Sequence, residues 1–394
     1  MVKHASLFSQ LIALFNRHQF YSLVVKHKAE RYAKGFNSWD QFVAMLFCQL
    51  AQAKSLREIC GGLACCIGKL RHVGMKDAPK KSTLCYANAQ RPWQLYRDLF
   101  YQTLATCKTA VPGKHKKFRF KNKLLSLDST TISLCLALFP WAKFRRTKGA
   151  VKLHLLLNHD GYLPTYAYIS NGKKHDVTIA RIVPLAPGSI VAMDRGYNDY
   201  KLFASWTARG IFFVTRLKDN ADYEVVFTNA IPQNRTIRSD QLIRFTGFYA
   251  QKDCPHILRR VVAWDEKNQQ EIVLLTNHCE FGATTISAIY KDRWQIELFF
   301  KALKQNLKIK TFVGTTENAL YIQIWTALIA ILLIKYLQFK AKLDWSLSNL
   351  VAFLRWNLFT YRNLWDWINH PFDVLPCKPQ SVQLHLPLAV CGQQ

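Results

Sequence analysis

Apolar positions in the first third of the chain recur every three or four residues, which is the period of an amphipathic helix. The first such set is Leu7, Leu11, Leu14 and Phe15. Serines that could cap later helices follow it, namely Ser38, Ser55 and Ser82. These signals predict an all-α N-terminal domain over residues 1–110 and a linker over 111–122. Two short helices followed by a basic third helix are typical of a helix-turn-helix. They are equally typical of an ordinary helical bundle, and both interpretations stay open.

From residue 123 onward the pattern changes to short apolar strands around polar turns. The predicted strands are Lys123–Leu134, Val151–Leu157, Tyr162–Ile169, Ile190–Met193 and Ile211–Val214. Asp160 and Gly161 form a strong hairpin-turn signal between the second and third strands. A helix is predicted at Tyr200–Ala208. This succession predicts a mixed α/β sheet with helices on its faces.

The remaining elements extend this core. Residues 222–276 contain three candidate strands, and helices are predicted at 284–305, 317–340 and 346–360. Ala319–Ile334 is nearly all apolar, but it is shorter than a membrane span and contains Gln323, so we predict a buried helix. The resulting division places a catalytic core at 123–340, a β-rich insertion at about 218–280, and a helical C-terminal region with a tail at 341–394.

The net charge of the chain then limits the classes of molecule that it is expected to bind. Lys and Arg number 54 against 25 Asp and Glu, a net charge of +29, while half of the residues are hydrophobic. Residues 1–122 carry 21 Lys and Arg and five acids, a net +16. A folded protein of this charge favours a polyanionic partner, with double-stranded DNA ahead of an anionic membrane surface. Eleven cysteines without a CxxC pair indicate buried free thiols in a reducing compartment, here the cytoplasm.

A basic run with interleaved aromatic residues lies in the linker. Its cations are Lys114, Lys116, Lys117, Arg119 and Lys121. We expect this run to contact DNA phosphates, and a solvated linker is the alternative.

Two aspartates follow apolar strands, where a carboxylate needs a partner or a metal. Asp128 follows Leu124–Leu127, and Asp194 follows Ile190–Met193. Strand ends of an open sheet are where sites are built. A turn-capping role for either aspartate is the alternative, and Asp176 is a second candidate for the acid assigned to Asp194.

A third acid lies on the helix predicted at 284–305. Tyr290, Arg293, Glu297, Lys301 and Lys304 fall within an arc of about 80° at 100° per residue. An amphipathic helix with an Arg293–Glu297 ion pair would give the same pattern. Two aspartates and a glutamate supply oxygen ligands that suit hard divalent cations, Mg²⁺ first, and thus two-metal phosphoryl transfer. The sequence contains no Gly-rich nucleotide loop.

These segments together resemble the DDE transposases of bacterial insertion sequences. The residues that carry the resemblance are Leu127–Thr130, Asp194–Tyr197 and the series Tyr290, Arg293, Glu297 and Lys304. The spacing of that series is similar to the Tyr-Arg-Glu-Lys signature of the insertion sequence four family, and the resemblance runs from about residue 123 to 340. It implies a ribonuclease-H-like catalytic core with the β-rich insertion before the third acid.

The same resemblance assigns roles. It implies that Asp128, Asp194 and Glu297 bind metal, and that Tyr290, Arg293 and Lys304 hold phosphates of the transposon end. Lys301 joins this set only by its position on the helix. Relatives can release the donor end through a DNA hairpin with a base against a tryptophan, and the candidates are Trp206, Trp264 and Trp294.

We therefore expect a transposase that binds terminal inverted repeats, cleaves DNA at the ends and joins the 3′ hydroxyl to target DNA. The expected cofactor is two Mg²⁺ ions, for which Mn²⁺ can substitute. The expected assembly is a homodimer on paired ends, associated with the nucleoid and not with a membrane. Two alternatives stay open: a catalytically inactive DNA-binding protein derived from such an element, and a metal-dependent nuclease without strand transfer.

Overall fold

Six α-helices and a short 3-10 helix at Leu70–Val73 form the N-terminal region of the computed structural model, which describes residues 4–31, 33–66, 68–113, 117–231, 233 and 236–373. The α-helices are α1 (Leu7–Ala13), α2 (Arg17–Lys26), α3 (Ser38–Ala51), α4 (Leu56–Ala64), α5 (Lys81–Gln90) and α6 (Gln94–Thr109). The prediction of an all-helical start is confirmed. Residues 374–394 lie outside the described part.

One of the three predicted helix caps is confirmed. The hydroxyl of Ser55 accepts a hydrogen bond from the Glu58 amide at 3.2 Å at the start of α4. The prediction for Ser38 is wrong, because the Asn37 side chain caps α3 instead, and asparagine is as good a cap as serine. The prediction for Ser82 is also wrong, since α5 begins at Lys81 without a side-chain cap.

Ten strands form one sheet. They are β1 (Leu124–Leu134), β2 (Lys143–Arg145), β3 (Lys148–Asn158), β4 (Leu163–Asn171), β5 (Ile190–Met193), β6 (Phe212–Arg216), β7 (Tyr223–Thr228), β8 (Ile237–Phe245), β9 (Leu258–Asp265) and β10 (Gln270–Thr276). The strand order is β2-β3-β1-β5-β6-β10-β9-β8-β7, and β4 pairs with β3. β1, β5 and β6 are parallel, whereas the other pairs are antiparallel. The mixed α/β architecture is thus confirmed.

The β-rich stretch continues the main sheet, because β10 pairs directly with β6. The sequence missed β8, whose polar residues break the apolar alternation. Asp240 of β8 is buried, and its carboxylate pairs with the Arg259 guanidinium on β9 at 2.7 Å. This ion pair places charged residues where the sequence pattern expects apolar ones.

Eight helices follow the first strands in the described chain. They are α7 (Asp176–Ala180), α8 (Tyr200–Ala208), α9 (Phe248–Asp253), α10 (Ala283–Asp292), α11 (Trp294–Asn306), α12 (Glu317–Lys340), α13 (Leu347–Asn357) and α14 (Leu364–Asn369). The prediction of one helix over 284–305 is wrong, because the helix divides at Arg293. There the Ile296 amide bonds to the Arg293 carbonyl three residues back, which interrupts the i to i−4 pattern.

The apolar helix α12 lies in the largest hydrophobic core, where it packs against α3 and α6 of the N-terminal region. By length and composition it could cross a membrane, but 83% of its apolar window is buried inside the molecule. Gln323 is satisfied, since its amide donates to the carbonyls of Lys308 and Thr311. The prediction of a buried core helix is confirmed.

The nine cysteines in the described residues are all free thiols, as expected. Only four of these are buried, namely Cys48, Cys66, Cys107 and Cys254, so the expectation of burial is wrong for the other five.

Candidate active site

Asp128 and Asp194 lie side by side because their strands are parallel neighbours. Leu127 of β1 pairs with Met193 of β5, and each aspartate is the next residue. Adjacent strands are about 4.8 Å apart, so Asp128, the fifth residue of β1, and Asp194, directly after β5, lie side by side at one edge of the region where the two strands pair. The runs of four buried residues that precede them fix this position.

Asp128 is the more buried of the pair, with its side chain 19% exposed, whereas Asp194 is exposed. The Ser129 amide donates to the Asp128 carboxylate at 2.8 Å. Burial raises the pKa of Asp128 to about 6, against the opposing effects of that hydrogen bond and of Arg293. A nearby cation would therefore favour the ionised form of this carboxylate.

Helix α11 brings the third acid to this edge through Arg293. The guanidinium of Arg293 lies 2.9 Å from a Glu297 oxygen and 3.9 Å from an Asp128 oxygen. It also lies over the Tyr290 ring, 5.4 Å from its centre. Burial alone would lower the pKa of Arg293, but Tyr290 and the three surrounding carboxylates, Asp194 included, raise it. Arg293 is thus a positive charge that interacts with all three predicted acids, Asp128, Asp194 and Glu297.

An open groove of about 470 Å³ runs beside these acids. Asp128 and Glu297 line one part of it, and Lys301, Lys304 and Lys310 line another. The Lys304 ammonium donates to the Thr131 carbonyl at 3.2 Å, and burial together with the Lys310 charge lowers its pKa. Sequence reasoning missed Lys310, because it lies in an irregular segment after α11 where no periodic pattern singles it out.

The donor set suits a hard divalent cation, since all three side chains offer carboxylate oxygens. Within the described residues, however, no three His, Cys, Asp or Glu side chains are arranged closely enough to hold a metal ion. Instead Arg293 bridges Glu297 and Asp128. The acids therefore fit a metal by the chemistry of their oxygen atoms but not by their spacing, and Arg293 compensates their charge in this arrangement.

Part of the basic linker run lies within the described residues and part does not. Lys114 and Lys116 lie outside the described residues. Arg119 and Lys121 are exposed, as the expectation of phosphate contact requires, although nothing here tests that contact. Lys117 is also exposed, but its ammonium pairs with Asp292 at 2.5 Å.

Asp292 is the centre of a buried polar network that the sequence did not reveal. Its side chain is 1% exposed, and one oxygen accepts from His159 Nδ1 at 2.5 Å. Nε2 of His159 lies 2.7 Å from the Ser126 hydroxyl. Ser126 is fully buried, so this Ser-His-Asp series is structural and not nucleophilic. The Asp292 network, formed by Ser126, His159, Asp292 and Lys117, joins β1 to the residue before Arg293.

Asp176, the second candidate acid, lies beside the same strand. It accepts from the Ser129 hydroxyl at 2.8 Å and from the Lys152 ammonium at 3.2 Å. Neighbouring residues of a strand point to opposite faces, so Ser129 and Asp176 lie across the sheet from the Asp128 carboxylate.

The three candidate tryptophans differ in the solvent exposure of their side chains. Trp206 is completely buried in α8, and Trp264 of β9 is half-buried beneath Arg238. Trp294 is 55% exposed at the start of α11, next to Arg293.

Comparison with known proteins agrees with this geometry. Residues 119–333, more than half of the chain, match the family described as "Transposase DDE domain". The chain belongs to the DDE transposases. Residues 3–76 match a separate domain of unknown function, DUF4372. The chain is accordingly a DNA-transposing enzyme of the insertion-sequence type.

Proteins that are similar to this DDE transposase are also named as transposases. A protein named as a transposase for insertion sequence element IS5377 of Geobacillus stearothermophilus is 28% identical over 73% of this chain and 74% of its own. A protein named as transposase y4zB of Sinorhizobium fredii is 31% identical over 66% of this chain and 71% of its own. A solved structure, the piggyBac transposase synaptic complex with hairpin DNA, is 11% identical with a TM-score of 0.43, covering 90% of this chain and 79% of that one.

Proposed function

We propose that this enzyme binds the terminal inverted repeats of its insertion sequence, cleaves DNA at the ends and joins the 3′ hydroxyl to target DNA. The observation that carries the proposal is the parallel register of β1 and β5, which sets Asp128 beside Asp194. Helix α11 then adds Glu297, which contacts Arg293 beside Asp128. Three carboxylates in a protein of +29 net charge suit a metal-dependent site on a polyanion.

The core is ribonuclease-H-like in this proposal. Strands β4, β3 and β1 form an antiparallel meander, after which β5 and β6 add in parallel beyond β1. This order supports the assignment, and β7–β10 correspond to the insertion before the third acid. The Tyr290, Arg293, Glu297 and Lys304 spacing supports membership of the insertion sequence four family.

Asp128, Asp194 and Glu297 would hold two Mg²⁺ ions, for which Mn²⁺ can substitute. When bound, such ions lower the pKa of the attacking water or hydroxyl and stabilise the leaving oxygen. Arg293 orients Asp128 and Glu297 by its contacts with both carboxylates.

The groove lysines Lys301 and Lys304 hold phosphates of the transposon end, together with Tyr290 and Arg293 nearer the acids. The exposed Trp294 is placed to stack on a base flipped from that end. The enzyme acts in the bacterial cytoplasm on nucleoid DNA, as a homodimer on paired ends.

A cleavage assay with the Asp194→Ala variant tests the proposal. Labelled fragments of the DNA that flanks the gene are incubated with the full chain and Mg²⁺, Mn²⁺ or chelator. The matched control is Glu266→Ala, an exposed acid in the turn between β9 and β10. We expect metal-dependent cleavage at a repeat boundary, retained by Glu266→Ala and lost by Asp194→Ala.

Other results would favour the alternatives. Binding without cleavage in any metal would indicate an inactive DNA-binding protein. Cleavage without transfer of the new 3′ end to a supercoiled target plasmid would indicate a nuclease. Equal cleavage by Asp194→Ala would refute the acid assignment and bring Asp176 forward.

A further inference from the structure

The exposed side of α5 carries a stripe of hydrogen-bonding residues. Thr83, Tyr86 and Gln90 follow spacings of three and four, which places them within an arc of about 60°. Tyr86 is 71% exposed, among the most exposed large side chains in the described chain. The three side chains make no hydrogen bond with other described residues, so they are available to a ligand.

The stripe forms one wall of a second groove, of about 540 Å³. Lys28 and Lys34, from the segment around the end of α2, line the opposite wall. Four of the residues that line this groove are basic and none is acidic. Two of the four, Arg31 and Arg91, already have partners, which for Arg91 are the carbonyls of Phe36 and Asn37. The two lysines are therefore left to face an anion.

The chemistry of the two walls suits double-stranded DNA. Lysines bind phosphates without regard to sequence, whereas glutamine and threonine side chains read base edges in the major groove. A ten-residue helix is about 15 Å long, comparable with the major-groove width of about 12 Å.

The position of α5 relative to the active site supports the same partner. The Asn318 amide of α12 donates to the carbonyls of Asn88 at 2.8 Å and Arg91 at 2.7 Å, which holds the C-terminal end of α5. Lys310, which lines the active-site groove, precedes Asn318 by eight residues. Eight residues span at most about 29 Å. At 3.4 Å per base pair this is less than about nine base pairs, so Lys310 lies within about one turn of a DNA duplex from the residue that holds the end of α5.

We propose that α5 is the helix that reads the sequence of the transposon end, with Thr83, Tyr86 and Gln90 toward the bases and Lys28 and Lys34 toward the backbone. This inference rests on the proposed function, because it takes the bound duplex to be the one that is cleaved. It assigns sequence recognition to one helix face of the N-terminal region.

Fluorescence anisotropy with the full chain tests the proposal. The probes are labelled duplexes cut from the DNA that flanks the gene, together with shuffled duplexes of the same composition, over a range of salt concentrations. The first variant combines Tyr86→Ala and Gln90→Ala. Its matched control is Tyr21→Ala, which removes a tyrosine that is 60% exposed on α2. The second variant combines Lys28→Ala and Lys34→Ala.

The two variants should behave differently. The variant that combines Tyr86→Ala and Gln90→Ala loses base contacts. It should bind the preferred flanking duplex about tenfold or more weakly, and its affinity for shuffled duplexes should be nearly unchanged. Loss of the two lysines should weaken binding to every duplex and lower the salt slope by about two. Tyr21→Ala should bind as the wild type does.

Two outcomes would count against the proposal in different ways. If the wild type prefers a flanking duplex and the Tyr86→Ala, Gln90→Ala variant keeps that preference in full, α5 is not the reading helix, while the proposed function stands. If the wild type prefers no flanking duplex, end recognition itself fails and this inference fails with it. Circular dichroism of each variant at the working temperature establishes that the fold is retained.

Discussion

Replacing Asp292 by alanine should destabilise the protein through the loss of buried partners. The Asp292 carboxylate accepts from His159 Nδ1 at 2.5 Å and pairs with Lys117 at 2.5 Å. The His159 side chain is 7% exposed, so losing its charged hydrogen bond costs about 1.5–3 kcal/mol. The Lys117 side chain is 59% exposed, and solvent screening limits its share to about 0–1 kcal/mol. The total expected loss is about 1.5–4 kcal/mol.

The pH dependence of the free energy of unfolding provides a second test of the role of Asp292. Burial alone would raise the pKa of Asp292, but its bonds to His159 and Lys117 hold that pKa below the ordinary value. An acid with a depressed pKa contributes stability above its unfolded pKa and loses it as pH falls through the folded pKa. The difference between wild type and Asp292→Ala should therefore be full at neutral pH and should shrink below about pH 4.

Urea unfolding followed by circular dichroism measures the effect, with Glu266→Ala as the exposed control. The control should lie within about 0.5 kcal/mol of the wild type. Asp292→Asn keeps the shape and one acceptor oxygen, so it should fall between the wild type and Asp292→Ala. A loss below about 0.5 kcal/mol for Asp292→Ala would refute the reasoning, because it would mean that His159 finds water or another partner at no cost. Equal losses at neutral and low pH would refute the electrostatic part.

Three further predictions concern other parts of the molecule. Asp98, whose pKa is lowered to about 2 by Lys26, His27 and Arg97 despite its burial, should contribute about 2 kcal/mol at neutral pH. Urea titrations of Asp98→Asn against wild type should show that difference disappearing between about pH 4 and pH 2. Asp240→Ala should cost about 3–5 kcal/mol in the same assay, because it leaves the buried Arg259 guanidinium without its carboxylate partner. Trp294→Ala should leave the melting temperature almost unchanged, because its side chain is 55% exposed, and should slow DNA cleavage, because we propose that this side chain stacks on a flipped base.

The sequence was sufficient to predict elements whose apolar pattern is decided locally. Ile190–Met193 was predicted to the residue, because four consecutive apolar side chains end at a single aspartate. The hairpin between β3 and β4 was also predicted, and Gly161 adopts the positive φ of +76° that its turn requires. Strand β8 was missed because its inward positions include Asp240, whose charge is compensated only by Arg259, a residue distant in sequence.

In the candidate site too, features set by a local pattern could be predicted, whereas contacts between distant residues could not. Parallel pairing of β1 with β5 follows from their apolar runs, so the adjacency of Asp128 and Asp194 could be inferred. The ion pair of Arg293 with Glu297 was one of two interpretations of the helical pattern, and the structure contains it. The contact of Arg293 with Asp128 could not be predicted, because Asp128 lies on a strand far away in the chain. Lys310 and the Asp292 network depend on contacts between residues far apart in the chain, for which one sequence carries no periodic signal.

The burial of α12 has a practical consequence for dissecting the enzyme. One side of this helix is covered by α3 and α6, so a fragment that begins at the catalytic strands would expose an apolar surface long and hydrophobic enough to enter a bilayer. Such a fragment should aggregate or partition into detergent and lipid. Its failure to cleave DNA would then report on solubility and not on the chemistry of the acids. The N-terminal helices therefore belong in any fragment designed to keep the catalytic half soluble, because they cover the apolar side of α12.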